Sequence, residues 1–428
     1  MKLLVIGSGG REHSLAWRAA QSANVEKVFV APGNAGTAHD NKLENVNIDV
    51  MDFEALADFA DRAEVALTIV GPEAPLVAGI VDYFNERQLP CFGPSRNAAQ
   101  LEGSKTFTKD FLSRHGIPTA AYQSFTDVKL ARDYVSRQRL PVVIKADGLA
   151  AGKGVIIAST REDAIATIDD MLADNKFGAA GSRVVIEEFL TGEEASFIAM
   201  VDGEHVLPMA TSQDHKARDD GDVGPNTGGM GAYSPAPVVT DTVYKRIMDQ
   251  VILPTVNGMA KDGNEYVGFL YAGLMISPTG EVNVIEFNCR FGDPEAQPVM
   301  MRLQSDLPEL CMAALERKLD QHQAQWDPRC AVGVVLAAGG YPYAYRKGDV
   351  ISGLDTPVAN NQKLFHAGTQ LRDGKVVTNG GRVLCATALG DTVSAAQKAA
   401  YALAAAIDWQ DMVYRKDIAH RAIARENS

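Results

Sequence analysis

No apolar run in the 428 residues approaches the roughly 18 needed to cross a bilayer. The N-terminal Met1-Lys-Leu-Leu-Val-Ile-Gly meets glycine and charge too soon to form the core of a secretion signal. Neither membrane insertion nor export is expected. Cysteine is scarce: Cys91, Cys289, Cys311, Cys330 and Cys385 are odd in number and scattered, with neither disulfide-framework nor CxxC metal spacing. Reduced thiols in a cytoplasmic protein are the expectation. Positive charge is also short, with 41 Lys and Arg against 54 Asp and Glu and a net charge of −13. A chain this acidic lacks the wide basic surface that a nucleic-acid backbone requires. A local basic pocket for one small phosphorylated ligand is untouched by that argument. What is present is an ordinary globular composition, 46% hydrophobic and 22% charged, in a length that suits about three domains.

The periodicity begins as α/β. Leu3 to Ile6 is a short apolar run ending in Gly7-Ser-Gly-Gly and followed by a helical pattern. Val28 to Val30 and Val65 to Val70 read as further strands, and Phe53 to Phe59 as an amphipathic helix. Alternation at this spacing predicts a doubly wound parallel sheet. Asp110 to His115 reads as a helix stopped by Gly116 and Pro118. Pro141 to Ala146, Val155 to Ala158 and Val184 to Ile186 read as strands. The pattern is lost from Thr211 to Pro235, a polar stretch that suits a solvated mobile loop or a substrate lid. Helix returns from Val243 to Ala260, then strands from Gly268 to Ile276 and Val282 to Cys289, and a polar linker from Asp320 to Pro328. Strands are predicted at Val332 to Ala337, Lys363 to Leu371, Lys375 to Val377 and Arg382 to Leu389. Asp373-Gly374 and Asn379-Gly380 carry hairpin signals, and an Ala-rich helix follows from Thr392 to Ile407.

Four segments carry chemistry. Gly7-Ser-Gly-Gly-Arg-Glu could bring backbone amides at a helix N-terminus to a phosphate, with Gly9, Gly10 and Arg11 nearby. It is not a dinucleotide fingerprint, because Glu12 stands where the third glycine should be and no acid closes the second strand; a bare structural turn is the competing reading, and His13 suits helix packing. Lys145-Ala-Asp-Gly-Leu-Ala-Ala-Gly-Lys-Gly-Val joins two strands and can fold as a glycine-rich flap over a polyphosphate, or as a plain hairpin. It lacks Walker spacing. Lys145 closes an apolar strand, where an ammonium is costly unless an anion meets it. Val184-Val-Ile-Glu-Glu-Phe-Leu ends a hydrophobic strand in acids that could face an adenine and a ribose, or form an acidic turn. In Val282-Asn-Val-Ile-Glu-Phe-Asn-Cys-Arg, strand alternation puts Glu286, Asn288 and Arg290 on one face and Ile285, Phe287 and Cys289 on the other. A carboxylate and an amide two positions apart offer oxygen ligands to a hard cation, and Arg290 can hold a carboxylate or phosphate. A half-exposed edge strand with a surface ion pair is the alternative.

In this order, the segments closely resemble the phosphoribosylamine-glycine ligase family of the ATP-grasp superfamily, over essentially the whole chain. The most specific marks are Arg290-Phe-Gly-Asp-Pro-Glu-Ala-Gln, Gly7-Ser-Gly-Gly-Arg-Glu-His, Gln213-Asp-His-Lys and Asn226-Thr-Gly-Gly-Met-Gly. The resemblance implies an α/β and α+β multidomain fold: an N-terminal α/β domain over residues 1–104, ATP-grasp lobes over 105–320 with a flap lobe at about 120–190, and a C-terminal β-rich domain over 329–428. It is similar to the stand-alone bacterial type. The implied reaction joins glycine to 5-phosphoribosylamine with ATP, giving glycinamide ribonucleotide, ADP and phosphate, the second step of purine synthesis.

The resemblance also implies site residues. Lys105 and Lys145 would hold ATP phosphates, Lys145 also standing near the adenine, with Gly152 and Gly154 in the flap. Glu187, Glu188, Phe189 and Leu190 would form the adenine hinge, and Glu194 would take the ribose hydroxyls. Glu286 and Asn288 would bind magnesium or manganese. Arg290, Asp293 and Asp214 are the expected catalytic residues, and Gly9, Gly10, Asp214, Lys216, Asn226, Gly228, Gly229, Arg290 and Gly292 the expected glycine and phosphoribosylamine side. The partners are these small molecules, with no nucleic acid and no membrane, and a monomer is the working expectation. The absence of a Ser/His/Asp or Cys/His set fits a carboxylate activated as an acyl phosphate. Another ATP-grasp purine ligase, a nicotinamide oxidoreductase lacking its ribose acid, and a silent nucleotide sensor are the alternatives; a substrate panel, cofactor absorbance on titration and glycine-dependent ATP consumption separate them in turn.

Overall fold

A computed structural model of the chain describes residues 1–149, 154–173 and 181–427. Its first unit is a five-stranded parallel sheet in the spatial order Leu43–Asn45, Lys27–Pro32, Lys2–Gly7, Val65–Val70 and Cys91–Phe92. The central strand is buried from Leu3 to Gly7, as a parallel strand covered on both faces must be. Leu4 and Ile6 pack on one face with Leu56, Ile80 and Phe84; Leu3 and Val5 pack on the other with Leu15 and Ala19. The predicted doubly wound sheet is present.

Both faces continue into the next unit. An antiparallel sheet runs Val206–Pro208, Glu193–Asp202, Val267–Ile276, Val282–Asn288. Phe269 stands edge-on between Phe92 and Phe291, with ring centroids 4.9 and 5.0 Å away. The parallel sheet and this sheet therefore share their cores. The flap lobe does not. Its sheet, ordered Tyr122–Phe125, Val184–Glu188, Val142–Ala146, Val155–Ala158, buries Val142, Ile144, Ala146, Val184 and Ile186 against Val135, Ile168 and Met171. The helices Val128–Ser136 and Arg161–Ile168 cover that face, capped by the side chains of Asp127 and Thr160. Strand alternation sends Val143, Lys145, Val155, Ile157 and Glu187 to the opposite face.

The C-terminal sheet runs Gln213–Asp214, Gly231–Ser234, Cys330–Ala337, Arg382–Gly390, Gln362–His366, covered by the Val393–Ala404 helix. Two of its strands come from the stretch expected to be a mobile loop or lid. That stretch is ordered β structure, with a two-stranded ribbon of Ala217–Asp219 and Val223–Asn226 between the sheet strands. Its polar composition misled because its Gly231–Ser234 strand pairs with a strand about a hundred residues away in sequence, and the others pair within the stretch. The expected Lys363 to Leu371 strand breaks at Ala367-Gly368, where Gly368 packs against the backbone of Gly380. Asp373-Gly374 does close a hairpin, but Asn379-Gly380 does not: the strands on either side of it lie in different sheets. The Val243 to Ala260 helix is present with a wide turn at Met248–Ile252. No described helix is long and apolar enough to cross a membrane.

Because the flap lobe has its own core, Ile144→Ala should destabilise it by about 2–5 kcal/mol. Hydrogen exchange should accelerate across the lobe's strands while the parallel sheet stays protected. Uniform acceleration through both would show a single cooperative unit.

Candidate active site

The inner face of the flap sheet, the Glu193–Asp202, Val267–Ile276 and Val282–Asn288 strands and the Gln213–Gly228 segment enclose a cavity of about 490 Å³. Its flap wall is apolar at Val143, Val155 and Ile157, and Leu190, Met275 and Ile285 face them. Three lysines reach into it, Lys145 from the flap sheet and two from a helix. The Lys105–Arg114 helix, capped by the Ser104 hydroxyl, sets Lys105 and Lys109 one turn apart on one side. Lys105 Nζ donates to the Gly148 carbonyl at 3.0 Å.

Lys145 is buried, and the anion that meets it belongs to the chain. Glu187 Oε1 lies 3.0 Å from Lys145 Nζ, and Glu187 Oε2 lies 2.9 Å from Lys109 Nζ. Lys145 also donates to the Ile285 carbonyl at 3.0 Å. The Glu187 side chain is thus a counter-ion, a function that its position at a strand end did not reveal. Burial draws the Lys109 ammonium down to about 8, the attraction of Glu187 being outweighed with help from Lys145.

The metal-type donors stand on the edge strand. The expected alternation fails at Ile285, because Gly273 pairs with Glu286 while Leu274 pairs with Val284, leaving Ile285 as a bulge. Val284 and Phe287 therefore enter the core, while Ile285 joins Glu286 and Asn288 on the cavity wall. Among the described residues the Glu286 carboxylate has no hydrogen bond or ion pair. Burial alone would raise its pKa, but Lys216, Lys145, Lys105 and Arg290 together hold it below the usual range. Asn288 Oδ1 accepts from Arg290 Nη2 at 3.0 Å and keeps a second lone pair. An ionised, unpaired carboxylate beside an oriented amide oxygen fits a hard divalent cation.

Arg290 is itself engaged. Its Nη2 reaches Glu102 Oε1 at 2.8 Å, its Nε lies 3.4 Å from Glu73 Oε2, and Nη1 donates to the Phe291 carbonyl at 3.2 Å. Nη1 and Nη2 are spent on the chain's own groups while Nε has only the Glu73 charge nearby, and through Nη2 Arg290 holds Asn288 in place. Across the cavity, Lys216 Nζ meets Glu194 Oε2 at 2.6 Å, and buried Glu295 accepts from Ser196 and Tyr271 at 2.8 and 3.0 Å. Burial raises the Asp214 carboxyl to about 8; Lys216 opposes the rise, and Glu295, Glu194 and Glu286 add to it.

Of the expected residues, Lys105, Lys145, Gly154, Glu187, Glu188, Phe189, Leu190, Glu194, Asp214, Lys216, Asn226, Gly228, Glu286, Asn288, Arg290 and Asp293 line this one cavity. Gly152 lies outside the described residues. Gly9, Gly10, Gly229 and Gly292 are not among the lining residues. The Gly9 amide, expected to face a phosphate, donates to Glu12 at 2.6 Å instead. A side chain at Gly10, Gly229 or Gly292 would come within 2.5 Å of Gln297, Pro294 or Glu295. These glycines allow segments of the wall to pack closely.

Sequence reasoning missed Glu73, Glu102, Lys109, Tyr341 and Arg382. Arg382 reaches in from the C-terminal sheet, donating to the Asp293 carbonyl at 2.7 Å and to its carboxylate at 2.8 Å. Only Lys109 left a trace, as the residue one turn after Lys105. The one cation-sized group of His, Cys and acidic ligands among the described residues, His215, Asp222 and His420, is a fastening: Arg415 and Arg421 already hold Asp222 at 2.8 and 2.6 Å.

Comparison with known proteins adds a family. The phosphoribosylglycinamide synthetase N domain matches residues 1–102, its ATP-grasp (A) domain residues 103–296 and its C domain residues 331–421. The phosphoribosylamine–glycine ligases of Escherichia coli K12 and Vibrio parahaemolyticus are each 66% identical to the chain over 100% of its length and 100% and 99% of theirs. The crystal structure of the phosphoribosylamine–glycine ligase of Thermotoga maritima, 34% identical, matches with a TM-score of 0.81 over 98% of this chain and 100% of that one. A biotin carboxylase domain from Hydrogenobacter thermophilus, in complex with MgADP, shares the fold with a TM-score of 0.74 at 15% identity, over 96% and 91% of the two chains.

The raised Asp214 carboxyl has a measurable consequence. Between the ordinary aspartate range and about pH 8 the folded chain keeps a proton that the unfolded chain has lost, so stability falls as pH rises through that window. Urea midpoints at about pH 6 and about pH 8 should show this fall in the wild type and a smaller one in Asp214→Asn. Equal slopes would mean that Asp214 ionises normally.

Proposed function

The chain belongs to the phosphoribosylglycinamide synthetase family, ATP-dependent ligases of purine biosynthesis that join phosphoribosylamine to glycine, and we propose that the cavity described above is where it does so, through a glycyl phosphate. The observation that carries this reading is the unengaged, ionised Glu286 beside Asn288 in a cavity lined by four lysines and, among the described residues, by no Ser, Cys or His. Such a wall stabilises a phosphoryl group in transit, and among the described residues it holds no hydroxyl–histidine or thiol–histidine pair to receive it.

Val143, Val155, Ile157 and Leu190 would clasp the adenine, with the backbone of Glu188 to Leu190 at its edge and Glu194 at the ribose. Lys105 and Lys145 would hold the phosphates. Glu286 and Asn288 would hold magnesium or manganese, which when bound neutralises charge on the transferring phosphoryl group. A carboxylate is a poor electrophile. Phosphorylating the glycine carboxylate divides amide formation into two easier steps: the carboxylate takes the γ-phosphoryl group, then the amine of phosphoribosylamine displaces phosphate. Asp214 would stand on this side and, in its ionised form, accept the proton that the attacking amine loses. Arg290 acts by holding Asn288, and Asp293, clamped by Arg382, shapes the opposite end. Gly9, Gly10, Gly229 and Gly292 set the packing behind the glycine and phosphoribosylamine side. A monomer is the proposed catalytic unit. Five cysteines without a disulfide support a cytoplasmic setting.

Phosphate release from ATP, with glycine and phosphoribosylamine omitted in turn, tests the assignment; release that does not depend on glycine would overturn it. Glu286→Ala should lower turnover by about two orders of magnitude or more while the unfolding midpoint holds. Near-normal turnover at low magnesium would remove Glu286 from the site. Glycine labelled with heavy oxygen in its carboxyl group should pass one label to inorganic phosphate per turnover. Unlabelled phosphate beside labelled product would exclude glycyl phosphate.

A further inference from the structure

Two buried ammonium groups share one carboxylate beneath the cavity. Lys109, Lys145 and Glu187 are each almost wholly excluded from solvent, with side-chain exposures of 3%, 4% and 4%. If both lysines are charged, the trio carries one net positive charge. Only Lys145 has a plain use for it, because it closes the apolar strand of the flap wall beside Lys105. Lys109 is held from every side. It donates to Thr119 Oγ1 at 2.7 Å, Thr119 in turn donates to the Val284 carbonyl at 2.7 Å, and the Tyr122 ring lies 5.8 Å away. A lysine buried only for packing would be better replaced by an apolar side chain, since desolvating an ammonium is expensive. Its cost points to a function.

We propose that Lys109 is a positioning residue for the nucleotide site: by sharing the Glu187 carboxylate, it leaves the Lys145 charge available to the phosphates of ATP. This rests on the assignment of the cavity to ATP. Without Lys109, Glu187 would have Lys145 as its sole cation, the trio would become neutral, and the ammonium that should face a polyphosphate would be drawn onto the chain's own carboxylate. With Lys109 charged, Glu187 is divided between two cations and one positive charge remains at the cavity wall. The linkage is local, because the same bridge through Thr119 ties the Lys105–Arg114 helix to the Val282–Asn288 strand that carries Glu286.

The titration of Lys109 supports this arrangement. Burial brings the ammonium down to about 8, Glu187 opposing and Lys145 assisting the fall. A lysine charged only below its own pKa loses its effect as pH rises through that value. The groups facing it are Glu187 and Lys145 from the flap sheet, Thr119 and Tyr122 from the segment entering that sheet, and Lys105 one turn earlier on its own helix. The pKa of Lys105 is also lowered, by burial first, with Glu286 opposing and Lys145 assisting.

The test uses the full chain and two readouts: equilibrium binding of a non-hydrolysable ATP analogue with magnesium, and KM and kcat for ATP from glycine-dependent phosphate release. Lys109→Met should weaken analogue binding and raise KM for ATP by about tenfold or more, with a smaller change in kcat. The double variant Lys109→Met/Glu187→Gln removes the cation together with the carboxylate it shares, and should return KM to within about threefold of the wild type. Packing alone would not be rescued in this way. Wild-type KM for ATP should also rise as pH increases through about 8, and the double variant should show a smaller rise. An unchanged KM in the single variant, a double variant no better than the single, or a flat wild-type profile would each overturn the proposal. Analogue binding reads the effect of Lys109 without turnover, so a wild type that binds the analogue but releases no glycine-dependent phosphate would fault the ligase reading and leave Lys109 to be judged on binding.

Discussion

One extra residue in an edge strand decides what the cavity receives. Without the bulge at Ile285, Val284 and Glu286 would share a face, and the strand could not bury one while presenting the other. With it, Val284 and Phe287 close the core shared by the first two sheets, and Ile285, Glu286 and Asn288 stand side by side on the wall. The same bulge frees the Ile285 carbonyl for Lys145 and leaves the Val284 carbonyl to Thr119. A carboxylate with no partner is costly to keep in such a place. It is held ionised because four cations surround it at longer range, and a metal-bound nucleotide would repay the strain of the arrangement.

The division of cores gives the site its mechanical character. The floor is one packed body, the parallel sheet and the body sheet meeting through Phe92, Phe269 and Phe291. The flap lobe is a separate small core, with one face committed to it and the other to the cavity. A lobe whose stability is its own can change its distance from the floor without disturbing either core. The contacts that cross the gap, Lys109 to Glu187, Lys145 to the Ile285 carbonyl and Lys105 to the Gly148 carbonyl, are polar.

The C-terminal sheet reaches the site by an indirect route. Gln213–Asp214 and Gly231–Ser234 belong to it, so Asp214 and Lys216 are positioned by strands far along the chain. His215, between them, points away and accepts from the Ala419 amide at 2.9 Å. Arg415, fully buried, binds Asp222, Asp417 and the Ala217 carbonyl, fastening the ribbon to the C-terminal segment. Arg382 adds the last clamp, on Asp293. The three matched domains are therefore joined at the site more closely than a linear division of the chain implies.

Local pattern made the doubly wound sheet, the flap strands and the Ala-rich helix legible, because each buries a face whose period can be counted. Chemistry made Lys105, Lys145, Glu194, Asp214, Glu286 and Asn288 legible, because a run of motifs in one order resembles one family. Three things were hidden. The Thr211 to Pro235 stretch was hidden because its strands pair with one another and with one distant strand, and need no apolar period of their own. Arg382, Glu73 and Glu102 were hidden because they reach the cavity from segments with no motif around them. The counter-ion role of Glu187 and the bulge at Ile285 were hidden because each depends on a partner strand's register, Val143 facing Glu187 and Gly273 facing Glu286. Hydrophobic period and residue type are properties of the chain read along its length, and they sufficed for the elements and the donor inventory. Register, desolvation and the sharing of one carboxylate by two cations exist only between segments, so they were decided when the segments packed.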